Sequence, residues 1–257
     1  MGALDGRVAL VTGVSRRAGI GYATARRLAD AGARLFLHHH APHDAEQTWG
    51  ADPDGPAALA ASLGDDVRHL GLDLTDPGAP ERLMAAAVEA YGHVDVLVCN
   101  HARGGGDGPL GTLDAEMLDA HWAANTRSVV LLTQAFGDQH DRRPGGRVLF
   151  LVSGQDLGPM IHEVAYAASK GALSAITRTL ADHFAGRGVT VNAVNPGPVD
   201  TGWASPEDRE ALLPRFPSGR WGAPDDPARL LTWLATDDAG WITGQVIHSE
   251  GGFRRWA

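Results

Sequence analysis

The segment Arg7-Val8-Ala9-Leu10-Val11-Thr12-Gly13-Val14-Ser15-Arg16-Arg17-Ala18-Gly19-Ile20-Gly21 joins an apolar run to a glycine-rich turn. Residues 7–11 read as a buried strand, because a short apolar run bounded by turn residues fits a strand covered on both faces. Residues 21–31 carry apolar side chains at helical spacing, so the turn leads from a strand into a helix. Glycines there let the backbone turn sharply, approach a pyrophosphate and pack the helix on the strand. The start of the helix adds free N–H groups and a favourable dipole. A few glycines alone say little; between the first strand and first helix of a βαβ unit they point to dinucleotide binding.

The same alternation continues outward. Strand-like runs at 34–38, 67–72, 94–100, 147–152, 189–194 and 246–249 bring the number to seven, and helical patterns at 80–91, 114–139, 163–185 and 227–235 lie between them. This order predicts an α/β fold, a Rossmann-like doubly wound parallel sheet of about seven strands flanked by helices. Residues 41–56, with three prolines and two glycines, read as irregular, as do residues 201–224. No linker and no internal repeat divides the sequence, so one domain over 1–257 is expected, with 200–224 as its substrate loop region.

Composition narrows the partners. A formal charge of -9 argues against a nucleic-acid surface, which needs clustered Lys and Arg. No apolar run reaches the length of a membrane helix, and the N-terminus lacks the pattern of a signal peptide. The single cysteine, Cys99, excludes an intrachain disulfide framework, reads as a small core residue, and fits a reducing cytoplasm. His38-His39-His40 invites a metal reading, but successive strand residues point to opposite faces, so no metal is expected.

Chemistry is concentrated in Ser153 and in Tyr166-Ala167-Ala168-Ser169-Lys170. A tyrosine has an unperturbed pKa of about 10 and needs a fixed cation nearby to favour its charged form. Lys170 lies four residues on, one turn away on the same face of a helix. Ser153 follows the apolar run 148–152, which places a hydroxyl at the carboxyl end of a strand, where open α/β sheets bind ligands. A serine hydrolase reading fails, because Ser153 lacks the Gly-x-Ser-x-Gly elbow.

At this point the chain resembles the short-chain dehydrogenase/reductases over almost its whole length. Thr12, Gly13, Gly19 and Gly21 resemble the glycine-rich turn of that family, although the turn is two residues longer. Asp73 resembles its adenine-binding acid, and Cys99-Asn100-His101-Ala102 its Asn-Asn-Ala-Gly segment. Asn125, Ser153, Tyr166 and Lys170 match its catalytic tetrad. Asn195-Pro196-Gly197 with Val199 and Thr201 resembles the segment that holds the nicotinamide carboxamide, and Thr243-Gly244-Gln245 with Gly251-Gly252 its C-terminal signature.

The resemblance implies hydride transfer between a nicotinamide cofactor and a ketone or secondary alcohol. Tyr166 would be the general acid or base, Ser153 would orient the substrate oxygen, and Lys170 would lower the Tyr166 pKa and bind the ribose. Asn125 would hold a water that links Lys170 to solvent. The cofactor would meet Gly13, Ser15, Arg16, Arg17, Gly19, Ile20 and Gly21 at the turn, and His39, His40, Asp73 and Leu74 beyond the next strands. Asn100, Ala102, Tyr166, Lys170, Pro196, Gly197, Val199 and Thr201 would complete its cleft.

An acid at the end of the second strand would bind a ribose 2'-hydroxyl and repel a 2'-phosphate, yet none occurs there before Asp44. NADP is therefore favoured, with NAD possible, and Arg16 and Arg17 are candidates for the extra phosphate. Gln155, Met160, His162 and Trp203 are candidate substrate contacts, within segments 155–162, 103–108 and 203–221. The alternatives are an NAD-dependent alcohol dehydrogenase of the same family or a dinucleotide-binding regulatory protein without turnover. A homo-oligomer is expected, a tetramer paired through helices 114–139 and 163–185, with the aromatic tail Phe253-Arg254-Arg255-Trp256-Ala257 closing an interface.

Overall fold

Seven parallel strands lie in the order β3-β2-β1-β4-β5-β6-β7 in the computed structural model, which describes residues 2–256. They are β1 (Val8–Val11), β2 (Arg34–His39), β3 (Arg68–Gly71), β4 (Val96–Cys99), β5 (Gly146–Leu151), β6 (Val189–Asn195) and β7 (Val246–His248). The helices are α1 (Ile20–Asp30), α2 (Ala41–Glu46), α3 (Gly55–Ala61), α4 (Ala79–Tyr91), α5 (Ala115–Trp122), α6 (Ser128–Gln139), α7 (Val164–Phe184), α8 (Pro206–Leu212) and α9 (Asp225–Ala235). The expected doubly wound sheet is thus present.

The two strands at the centre, β1 and β4, are apolar and buried throughout because each faces helices on both sides. Val8 and Leu10 of β1 point into a core with Leu83 of α4, Leu132 and Phe136 of α6 and Leu173 of α7. Ala9 and Val11, their neighbours, point into the opposite core with Leu28 of α1 and Leu231 and Leu234 of α9. Burying side chains of this size contributes about 1.5–3 kcal/mol each.

The order reverses between β1 and β4, and the carboxyl ends of the strands open a crevice there. Three local features differ from the sequence expectation. The span 114–139 is not one regular helix: residues Ala123–Arg127 form a π-turn between α5 and α6 that contains Asn125. The turn spans only five residues, too few for an apolar pattern to distinguish it from the α-helix on either side. The stretch 41–56 holds α2, which begins with proline in its first turn, and the start of α3. The stretch 201–224 holds α8, capped by the Ser205 hydroxyl accepting from the Asp208 N–H.

Candidate active site

A cavity of about 1100 Å³ occupies the crevice. At one end lies the glycine turn. Gly13 has φ +71°, and a Cβ there would stand 2.8 Å from the His101 Cα, so the turn requires glycine. Gly21 lies off the cavity: its missing side chain leaves room for the Asn100 side chain and the Gly13 carbonyl, which is how α1 packs against the strand ends. Gly19 is the N-cap of α1, and no side chain caps this end. Gly19 and Ile20 border the cavity, together with Gly13, Ser15 and Arg16. An uncapped helix start beside an arginine is a donor set that fits a pyrophosphate.

The end of β2 departs from expectation. His38, not His39, borders the cavity together with His40. His39 turns to the other face, where its ring nitrogen lies 3.1 Å from His69, because strand side chains alternate. The His38 ring accepts from the Gly13 N–H at 3.3 Å and donates to the Leu72 carbonyl at 2.9 Å. Burial pulls its pKa down to about 4, so the ring is neutral. Among the described residues no group of three or more His, Cys, Asp or Glu could hold a metal ion.

The two arginines of the turn separate. Arg16 lies over the Trp49 ring, 5.8 Å from its centre, and donates to the Thr201 carbonyl at 2.9 Å. Arg17 lies off the cavity, because its side chain pairs with Asp54 at 3.0 Å on the exposed surface. Two acids, Asp44 and Glu46, also border this end, and Asp44 accepts from the Trp49 indole at 3.1 Å. Asp73 and Leu74 border the cavity as well. The Thr75 hydroxyl and N–H both donate to Asp73 Oδ1, at 2.7 and 2.9 Å. Burial pushes the Asp73 carboxyl up, and these bonds more than offset it.

Ser153, Tyr166 and Lys170 line the middle of the same cavity. The regular path of α7 puts Lys170 one turn after Tyr166, with its ammonium 5.8 Å from the ring centre. Lys170 Nζ donates to the Leu151 carbonyl at 2.8 Å, which ties α7 to the end of β5. Burial pulls Lys170 down to about 8, with Cys99 opposing. Tyr166 goes the other way from the sequence expectation. Burial pushes it up to about 12, Glu163 adds to the rise, and only the Ser153 hydrogen bond lowers it. Desolvation of the phenolate outweighs the help a cation would give at this distance.

Asn125 does not reach the cavity. Its side chain accepts from the Arg103 N–H at 2.6 Å and donates to the Arg103 carbonyl and Ser169 hydroxyl at 3.1 and 3.0 Å. It therefore braces the loop after β4 against α7. Gln155 also lies off the cavity, since its side chain is spent on the Ser153 N–H, Asp156 and Ser174. Met160, His162 and Trp203 border the cavity. Asn100, Ala102, Pro196, Gly197, Val199 and Thr201 border it as well.

Residues not foreseen from the sequence complete the walls. His101 is held between the Thr12 and Ser128 hydroxyls at 2.7 and 2.8 Å. Phe253 and Arg255 of the tail also line the cavity. Arg255 pairs with Glu250, which accepts from Asn195 at 2.8 Å, and Phe253 packs on Phe216 with ring centres 4.9 Å apart. The tail thus docks on its own chain through Phe253 and Arg255, while Trp256 stays exposed. The alternation of β2 would have separated His38 from His39; nothing local to the sequence places a C-terminal arginine at this site.

The glycine turn, the uncapped start of α1 and the side chains of Ser153, Tyr166 and Lys170 thus meet at one cavity. The profile of the family described as Enoyl-(Acyl carrier protein) reductase matches residues 13–254. The chain is 41% identical over 258 residues to "Uncharacterized oxidoreductase YjdA" of Bacillus subtilis, covering 97% of each. It is 33% identical to the 3-oxoacyl-[acyl-carrier-protein] reductase FabG of Vibrio cholerae, covering 97% of this chain and 98% of that one. The structure of a short chain dehydrogenase from Burkholderia cenocepacia in complex with NADP is similar at a TM-score of 0.86 and 31% identity, over 97% and 98% of the two chains. The chain belongs to the short-chain dehydrogenase/reductase family and is an NAD(P)-dependent enzyme of it. No helix among the described residues is long and apolar enough to cross a membrane.

Proposed function

We propose that the chain is an NADP(H)-preferring carbonyl reductase that interconverts a ketone and a secondary alcohol. The observation that carries this reading is the opening of Ser153, Tyr166 and Lys170 on the cavity that also receives the uncapped start of α1. Bound NADPH would supply the hydride to the carbonyl carbon. Ser153 donates a hydrogen bond to the carbonyl oxygen. Tyr166, protonated at neutral pH by its raised pKa, gives its proton to the developing alkoxide as general acid. Lys170 then faces the phenolate across the turn of α7, and Asn125 holds the adjoining loop in place. In the oxidation direction Tyr166 takes the proton back.

Preference for NADP(H) is supported by Arg16 at the cavity and by the neutral His38 and the His40 side chain where an acid would otherwise stand. Asp44 and Glu46 on the same wall favour the second reading, an NAD-dependent alcohol dehydrogenase. The Burkholderia relative named with NADP and the FabG reductases support the first. A homo-oligomer belongs to this reading, and the exposed Leu118 and Trp122 of α5 and Val130 of α6 support it.

A panel of ketones offered with NADPH and then with NADH tests the assignment. Tyr166→Phe is expected to retain cofactor binding and lose at least about two orders of magnitude in kcat, the range of general acid catalysis. Near-normal turnover by that variant would remove Tyr166 from its role.

A further inference from the structure

Helix α7 carries both Tyr166 and Lys170, and its first turn is not held by its own cap. Glu163 is the N-cap residue, with φ -137° and ψ 49°, and its side chain makes no capping bond. The free N–H groups of the first turn go elsewhere. The Val164 N–H donates to the Gly108 carbonyl at 3.4 Å. The Ala165 N–H donates to Asp107 Oδ1 at 3.0 Å, and the Tyr166 N–H donates to Asp107 Oδ2 at 2.7 Å. Asp107 Oδ1 also accepts from the Gly108 N–H at 2.7 Å.

Asp107 lies 59 positions before Tyr166, in the loop between β4 and α5, and its side chain is 5% exposed. A buried carboxylate that receives three N–H groups is satisfied and fixed in place. Behind it the His121 ring of α5 is fully buried, with Nε2 4.0 Å from Asp107 Oδ2. His121 Nδ1 donates to the Met117 carbonyl at 2.8 Å. Nε2 has no hydrogen-bond partner and stands toward the carboxylate.

We propose that Asp107 is a positioning residue for Tyr166: a cap supplied from the loop after β4 that fixes the backbone of the reacting tyrosine. This rests on the reading of Tyr166 as general acid. The cap grips the amide of Tyr166 itself, so loss of the cap frees the turn from which the phenol projects. Misplacement of a reacting group by about 1 Å can cost about 100-fold in rate. The bonds run through the backbone, so the cofactor walls formed by the glycine turn and by Asn195–Gly197 are untouched. A positioning role therefore predicts a loss in kcat with little change in the binding of either partner.

The test uses Asp107→Ala and Asp107→Asn in the full chain, with the ketone best reduced by the wild type. In Asp107→Ala, hydrogen exchange at the Ala165 and Tyr166 amides is expected to accelerate at least about tenfold. Its kcat should fall about 10- to 100-fold, while KM and the NADPH Kd stay within about threefold. Asp107→Asn retains one acceptor oxygen and should fall between the two. Unchanged exchange, a kcat within about twofold of wild type, or a Kd loss as large as the kcat loss would overturn the proposal. If Asp107→Ala does not fold, Asp107→Asn decides by the same three criteria. Tyr166→Phe separates the two readings: an active Tyr166→Phe beside an impaired Asp107 variant removes the acid assignment, and an inactive Tyr166→Phe beside a normal Asp107 variant removes the cap.

Discussion

The guanidinium of Arg255 fills the space that a side chain on Gly154 would need, directly after the Ser153 hydroxyl. Gly158 makes room for the aliphatic part of the same arginine. Through Glu250 and Asn195 the cation also reaches the segment whose Gly197 N–H is held by Asn195 Oδ1 at 2.9 Å. The tail therefore links two walls of the cavity.

Removing that link should show in substrate binding. Arg255→Ala, and a chain ending at Gly252, are expected to raise the ketone KM at least about tenfold, the size of one charge-assisted bond, with NADPH Kd nearly unchanged. Because Phe253 and Arg255 pack on their own chain, light scattering should give the same mass for the shortened and full-length proteins. A drop in mass would place the tail in a subunit interface.

Arg16 and Arg17 should behave differently despite being adjacent. Arg16→Ala is expected to reduce the preference for NADPH over NADH at least about tenfold, since bonds between charged groups contribute about 1.5–3 kcal/mol. Arg17→Ala should leave the ratio unchanged, because its charge is paired with Asp54 on the surface. Fluorescence titration of both cofactors gives the two ratios.

The reaction should lose rate in mild alkali. Lys170 is held down to about 8, so its ammonium is present below that pH and lost above it. Ketone reduction is expected to fall as pH rises through about 8, in kcat rather than in protein stability, and Lys170→Arg should move the fall to higher pH. A flat profile from pH 7 to 10 would show that the charge has no part in the rate.

Stability should weaken in mild acid. His38 binds its proton with a pKa of about 4 when folded and 6.5 as its ordinary value, so between these limits the unfolded chain takes up more protons. Stability is then full above about pH 6.5 and is lost progressively toward pH 4. His39, also held to about 4 by burial and by His69, adds to the same slope. Thermal melting of His38→Gln across this range should show a shallower decline than wild type.

The sequence alone determined the alternation of strands and helices, the order of the motifs and the positions of Ser153, Tyr166 and Lys170 on their elements, because all of these depend on local spacing. Periods of two and near four assign faces, and a glycine turn between strand and helix marks the crevice. Tertiary structure alone decided what surrounds those groups. Burial reversed the expected shift of Tyr166, and Arg17 lies on the surface beside Asp54 rather than at the cavity. Asp107 at the start of α7 and Arg255 beside Gly154 join positions far apart in the chain. Such contacts depend on desolvation and on the packing of distant segments, which residue spacing does not encode.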